Sequence, residues 1–116
     1  SSQKIIWPEL PENTAAGLCY TSGTTGNPKG ALYSHRSTVL HALTISLNMG
    51  LFLGNGMKVL PVVPLFHVNA WGLPYAAPLT GTSLIFPGPN LDGASLFKLM
   101  DHENVNSAWG VPTVCK

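Results

Sequence analysis

Tyr20-Thr21-Ser22-Gly23-Thr24-Thr25-Gly26-Asn27-Pro28-Lys29-Gly30 is the densest chemical feature of the chain, with four hydroxyls, three glycines and one lysine in the ten residues after Tyr20. It follows the short apolar run Ala15 to Tyr20, which reads as a buried strand entering a loop. The carboxyl end of a strand is where α/β folds place ligands. A polyphosphate needs groups of this kind: glycines let backbone N–H groups approach anionic oxygens, hydroxyls add donors or a magnesium ligand, and lysine adds a mobile positive charge. The plainer alternative is a flexible Ser/Thr/Gly linker, but a linker is not expected between a buried strand and a packed helix. The loop is not a Walker A motif. Counted from Gly23, that motif demands Gly at 28 and Ser or Thr at 30, whereas the chain has Pro28 and Gly30, with only Lys29 in register. GxGxxG does not match either.

Downstream, a second short strand is predicted at Ala31 to Ser34. From Ser37 the spacing changes. Leu40, Leu43 and Leu47 recur at three and four residues, and His41, Thr44 and Asn48 hold another face, which predicts an amphipathic helix starting near Ser34 or Ser37 and ending by Gly50 or Gly54. Lys58 to Val63 reads as a strand in which Pro61 favours an edge, a bulge or an early end. Val68 to Leu79 is predicted as a helix interrupted at Pro74, Thr82 to Phe86 as a strand, Leu96 to Glu103 as a helix capped by Asp92 or Ser95, and Val105 to Trp109 as a strand. Strand, loop and helix in repetition argue for an α/β fold, a mainly parallel sheet with flanking helices and right-handed crossovers.

Composition limits what such a fold can be. The chain has 116 residues, one domain or part of one. Charged residues make up 9% of it, against about a quarter in an ordinary soluble domain, while apolar residues are an ordinary 45%. Six basic and five acidic side chains are a thin coat for a free-standing fold of this size. Together with a Ser-Ser start and a Val111-Pro112-Thr113-Val114-Cys115-Lys116 end that looks like the opening of a new element, this predicts that residues 1–116 are a fragment of a larger domain. A net charge of +1 without a Lys/Arg cluster gives no basic face for nucleic acid. Cys19 and Cys115 lie far apart in apolar surroundings, which indicates buried thiols in a reducing, cytoplasmic setting rather than zinc or a disulfide framework. Ser37 to Met57 and Val59 to Leu91 carry no charge, but glycines and His41 interrupt the first and six prolines the second, so no transmembrane segment is predicted.

The pattern from Tyr20 through Gly30 to His35 resembles, nearly residue for residue, the signature loop of the adenylate-forming (AMP-binding) superfamily, which includes acyl-CoA synthetases, luciferases and the adenylation domains of peptide synthetases. Pro64-Leu65-Phe66-His67-Val68-Asn69-Ala70-Trp71-Gly72-Leu73-Pro74-Tyr75 looks like the second motif of its fatty-acyl-CoA synthetase branch, and Phe86 to Asp92 and Gly110 to Val114 continue the likeness. It covers nearly everything from Trp7 onward, as part of a large amino-terminal domain.

The resemblance implies a two-step ligase: a carboxylate attacks the α-phosphate of ATP to give an acyl-adenylate and pyrophosphate, and the thiol of coenzyme A then displaces AMP. It places Thr21, Ser22, Gly23, Thr24, Thr25, Gly26 and Lys29 around the β- and γ-phosphates, where a protein acts by positioning and neutralisation of charge, and matches Thr21 to a threonine that helps hold Mg²⁺. His67 corresponds to a histidine near the acyl carboxylate and α-phosphate; without the motif it reads as a core histidine beside Phe66 and Val68. Trp71, four residues on, shares a helix face with His67 if the segment is helical, as a wall or gate of the acyl tunnel or simply as a packed core tryptophan. His35 and Arg36 support the loop, while His41, His102, Asp101 and Glu103 are assigned to solvent. The superfamily's aromatic-Thr-Glu segment, ribose aspartate, hinge and late lysine do not occur in residues 1–116, so the resemblance implies that this chain alone does not complete catalysis. The expected partners are small molecules: a fatty acid, ATP and coenzyme A. Rival readings are an aryl- or short-chain acid ligase, a non-catalytic phosphate-binding module, and a segment that works at a membrane surface through its charge-poor stretches.

Overall fold

The computed structural model describes residues 4–22, 26–48 and 53–111. Nine elements follow one another: β1 (Ala15–Thr21), β2 (Lys29–Ser34), α1 (His35–Asn48), β3 (Lys58–Pro61), α2 (Val68–Trp71), α3 (Leu73–Thr80), β4 (Ser83–Leu84), α4 (Gly93–Glu103) and β5 (Ser107–Trp109). The three strands β4, β3 and β5 form a parallel sheet with β3 in the centre. Val59 and Leu60, adjacent on β3, are both fully buried. Successive strand residues point to opposite faces, so a strand buried on both sides is apolar without alternation. Val59 joins Ala42, Leu53, Leu73 and Ala76 in one cluster, which sets α1 and α3 on that face. Leu60 joins Val62 and Leu96 in a second cluster, which sets α4 on the other. The expected parallel α/β arrangement with flanking helices is present.

Two expectations change at the strands. β1 and β2 do not enter the parallel sheet: they pair with each other, antiparallel, with Cys19 opposite Ala31 and Thr21 opposite Lys29. Nor is β1 a buried strand, since of its residues only Cys19 is buried. Too few residues separate the two strands for a parallel crossover, which takes a dozen or more, so the short connection closes a hairpin. Pro61 ends β3, as one of its three readings held, but β3 is the central strand and not an edge. Proline is tolerated there because it closes the ladder, whose line the Val62 and Val63 N–H groups continue by donating to Trp109 O.

The helix ends follow from local chemistry. α1 begins after Ser34. The Ser34 hydroxyl accepts from the Ser37 N–H at 3.1 Å, and the Ser37 hydroxyl accepts from the Ser34 N–H at 3.0 Å, a reciprocal cap. Arg36, in its first turn, pairs with Glu12, which ties the helix start to the segment before β1 and not to the loop after it. The expected ends of this helix at Gly50 or Gly54 compare with a last residue at Asn48, and residues 49–52 lie outside the described ones.

Asp92 caps α4, accepting from the Ser95 N–H at 3.0 Å. The Ser95 side chain and then its backbone N–H hold the Asp92 carboxyl below the ordinary carboxylate range. A carboxyl lowered by folding adds stability above its unfolded value, about pH 4, and loses it as pH falls through its folded value. Asp92→Ala is therefore expected to lower the melting temperature at pH 7, with the gap to wild type narrowing at pH 3. An equal gap at both pH values would show that the carboxylate charge is not what caps the helix.

Candidate functional site

The predicted phosphate loop is the connection of the β1–β2 hairpin. Thr21 and Lys29 stand opposite each other at its mouth, and the Thr21 hydroxyl donates to Lys29 O at 3.4 Å. Thr21, Ser22, Gly26 and Lys29 are all exposed, and Gly26 takes a positive φ of 93° that glycine adopts without strain. Gly23, Thr24 and Thr25 lie outside the described residues. No carboxylate among the described residues forms an ion pair with Lys29. Its charge stays available to an anion at the hairpin mouth.

α2 meets β1 at the Cys19–Asn69 contact, and here the expectation of an ordinary helix fails. Val68, Asn69, Ala70 and Trp71 all have positive φ, between 44° and 56°, with ψ of 42° and 48° at Asn69 and Ala70. α2 is a single left-handed turn. Left-handed backbone costs roughly 1–2 kcal/mol for each residue other than glycine or asparagine, and a β-branched residue such as Val68 is the rarest occupant. Such strain persists only where surroundings over-determine it. Ala70 is fully buried beneath the turn. Its N–H donates to His67 O at 3.0 Å and the Gly72 N–H donates to Asn69 O at 2.9 Å.

Two side chains from other elements clamp the turn. The Cys19 thiol donates to Asn69 Oδ1 at 3.3 Å, and His41 Nε2 lies 3.3 Å from Trp71 O, where its N–H donates to that carbonyl. Gly72 then ends the turn with φ 81°, and a Cβ built there meets His41 Cδ2 at 2.6 Å. No side chain fits between this glycine and the imidazole. The helix break falls at Gly72, while Pro74 stands in the first turn of α3, where its missing N–H costs nothing.

These facts correct two readings. His67 precedes the turn in extended conformation, with φ −99° and ψ 110°, so the right-handed relation that puts residues four apart on one face does not join it to Trp71. His67 is exposed on the rim, and its ring makes no hydrogen bond among the described residues. Nor is His41 a solvent side chain without a task, since it binds the turn. Asp101 and His102 are exposed as expected, and His102 pairs with the half-buried Glu103 at 3.1 Å.

Trp71 divides two apolar clefts. One, of about 370 Å³, lies between β2, α1 and the turn, with Tyr33, His41, Asn69, Trp71 and Tyr75 in its lining. The other, of about 630 Å³, is bounded by His41, Ile45, Trp71, Ser107 and Trp109. The Trp71 and Trp109 rings are 6.4 Å apart and inclined at 41°, within the range of aromatic contact. The Ser107 hydroxyl is buried with no hydrogen-bond partner among the described residues. Concave, mostly apolar space with a few polar groups is what small-molecule sites offer. Thus Thr21 and Lys29 stand at the mouth of the hairpin, while Trp71 lines the cleft together with Tyr33, which pairs with Gly17 toward the hairpin's other end. The Cys19–Asn69 contact links β1 to the turn, and His67 is exposed.

Asn69, His41 and Gly72 were not predicted to matter. Val68 and Trp71 keep helical spacing whichever hand the turn takes, so its one signal is compositional: asparagine, which tolerates this backbone, followed three residues on by glycine. Among the described residues no cluster of three His, Cys, Asp or Glu side chains has metal-binding geometry, and no helix is long and apolar enough to cross a membrane.

Comparison with known proteins gives the same picture. The family model described as AMP-binding enzyme matches residues 3–116. The medium-chain-fatty-acid–CoA ligase of Ectopseudomonas oleovorans is 62% identical over 109 residues, 94% of this chain and 20% of that protein. The long-chain-fatty-acid–CoA ligase of Thermus thermophilus is 58% identical over 90% of this chain and 19% of its own length. A 3-methylmercaptopropionyl-CoA ligase of Ruegeria pomeroyi is 55% identical over 93% of this chain and 20% of its own length. Among solved structures, the inhibitor-bound N-terminal domain of FACL13 from Mycobacterium tuberculosis superimposes with a TM-score of 0.79 at 28% identity, covering 94% of this chain and 27% of that one. The chain spans about a fifth of the length of the curated relatives it matches.

Proposed function

The chain belongs to the AMP-binding enzyme family, and from that premise we propose that it is a segment of the large amino-terminal domain of a fatty-acyl-CoA synthetase, carrying part of the ATP site and part of the acyl pocket. The observation that supports this best is a link along one strand: β1 ends at Thr21, opposite the cation Lys29, and Cys19 on the same strand contacts Asn69 in the lining of a mostly apolar cleft. A ligase that joins an apolar acid to a nucleotide phosphate needs these two environments linked. Exposed apolar side chains such as Leu32, Phe66 and Phe97 suit a segment covered by the rest of a larger domain.

In this reading Lys29 and the N–H and hydroxyl groups from Thr21 to Gly26 hold the β- and γ-phosphates. Their charge offsets what accumulates on pyrophosphate as the acid's carboxylate oxygen attacks the α-phosphorus. The hydroxyl oxygen of Thr21 is exposed and suits a hard cation as one oxygen ligand among phosphate oxygens and water. Mg²⁺, when bound there, neutralises and orients the phosphates. In the same reading His67, which is exposed, orients the carboxylate, and Trp71, in the lining of both apolar clefts, serves as a wall of the acyl pocket. A cytoplasmic setting, where ATP and coenzyme A are at hand and a free thiol such as Cys19 stays reduced, belongs to the same reading.

The test is acid-dependent exchange of labelled pyrophosphate into ATP by the ligase that carries this segment, across acids of two to eighteen carbons, on the order used for such surveys. Saturable exchange with medium or long acids is the expected result. Exchange confined to short acids would favour the second reading, a short-acid ligase, which the 55% identity to the 3-methylmercaptopropionyl-CoA ligase motivates. Mg²⁺-dependent ATP binding without exchange for any acid would leave a non-catalytic phosphate-binding module.

A further inference from the structure

We propose that Asn69 is a positioning residue for adenylation, holding the left-handed turn in register with β1 through the Cys19 thiol; this rests on the functional reading above. Four observations carry it. The Cys19–Asn69 contact joins residues 50 apart in sequence, and Cys19 lies two residues before Thr21, on the strand that leads into the phosphate loop. Cys19 is 6% exposed and Asn69 is half-buried, so the contact is shielded from water on its thiol side. Gly17 stands two residues earlier on the same face of β1, and a Cβ placed there would lie 3.9 Å from Asn69 Nδ2. That is ordinary van der Waals spacing, and it sets the amide alongside the strand. Finally, Asn69 sits at φ 50° and ψ 42° in the middle of a turn whose other members pay for this conformation in strain.

The consequence is a defined distance between two groups that must meet. His67 and Trp71 leave either end of the turn, and Thr21 leaves the end of β1. A strained turn has a relaxed alternative, and the amide-to-thiol contact selects against it. Neither Asn69 nor Cys19 needs to touch a reacting atom for this. Small misplacements of reacting groups are costly, up to about a hundredfold for 1 Å.

The experiment uses the ligase that carries this segment, with the rate of acid-dependent pyrophosphate exchange expressed per active site, counted from the stoichiometric burst of acyl-adenylate. Asn69→Gly keeps the left-handed backbone and removes the amide. It is expected to lower kcat about tenfold while KM for ATP changes less than twofold, by an order-of-magnitude reading of misplacement costs. Cys19→Ala is expected to fall equally, and the double variant to fall no further than either single one, as residues acting through one contact do. Asn69→Asp, which keeps the acceptor, and Cys19→Ser, which keeps a donor, are expected to restore most of the rate. Loss of folding alone would lower the number of active sites and leave the rate per site unchanged. Wild-type rates per site in Asn69→Gly, or losses that multiply in the double variant, would overturn the proposal; if Asn69→Gly does not fold, the contrast of Cys19→Ala with Cys19→Ser decides alone. A wild-type ligase without exchange for any acid would remove the functional reading and this inference with it, whereas normal wild-type exchange beside unaffected variants would remove the inference only.

Discussion

On the function proposed above, Lys29→Ala in the protein that carries this segment is expected to lower kcat/KM for ATP by roughly a hundred- to a thousandfold, the scale seen when one preorganised charge-stabilising group is removed. Lys29 is the first residue of β2, paired across the hairpin with Thr21, exposed, and unpaired with any carboxylate among the described residues. A lysine so placed stabilises nothing in the fold. Its removal should leave the melting temperature within about a degree of wild type, as surface substitutions away from packed features do. The loss should fall mostly on kcat if the ammonium meets charge that develops in the transition state, and mostly on KM if it only holds ground-state phosphates. Lys29→Arg keeps the charge but replaces a compact point charge by a planar fork, so partial activity is expected. A rate within fivefold of wild type for Lys29→Ala would remove this residue from the site.

Gly72→Ala is the second large effect, and it acts on the fold. Two costs add. Alanine at φ 81° pays roughly 1–2 kcal/mol for left-handed backbone. The new Cβ also overlaps His41, with Cδ2 at 2.6 Å and Nε2 at 3.0 Å, and overpacking of this kind costs about 1–3 kcal/mol. The expected loss is therefore roughly 2–5 kcal/mol by these two principles, read from chemical or thermal denaturation. Pairing it with His41→Ala separates the costs: the overlap with the imidazole disappears, the tight contact with Ile45 Cδ1 at 3.1 Å and the backbone cost stay, and the donor to Trp71 O is lost as well. The double variant should be less destabilised than the sum of the two singles. Simple additivity would mean that the imidazole swings away at no cost and that the close approach is not what fixes the glycine.

How far the sequence carried depended on whether the controlling physics was local. The parallel sheet was legible because β3 is buried on both faces and therefore reads as an apolar run, and the cap at Asp92 was legible because it is a property of four residues. The loop from Thr21 to Lys29 declared itself by composition. What could not be read were partnerships. Whether β1 joins the parallel sheet or β2 depends on the length of the connection, and the two look alike as isolated apolar runs. α2 has apolar residues at helical spacing, yet its hand is set by contacts from Cys19 and His41, which lie 50 and 30 residues away. For the same reason His67 and Trp71 were placed on one helix face that does not exist.

The hairpin has a further consequence for the order in which the chain takes shape. Its pairing spans Ala15 to Ser34, and its cap with α1 is made by the very next residues. By contrast, β3 finds β5 only across nearly fifty positions, as the Lys58 N–H to Asn106 side-chain bond marks. Hairpins close in roughly 1–10 μs, while distant pairings must first bring far-apart residues together against chain entropy. During synthesis from the amino end, the hairpin can be standing before the strand at the sheet's centre has been made. The left-handed turn takes its place later, because the thiol that holds it waits on the hairpin for an amide made 50 residues on.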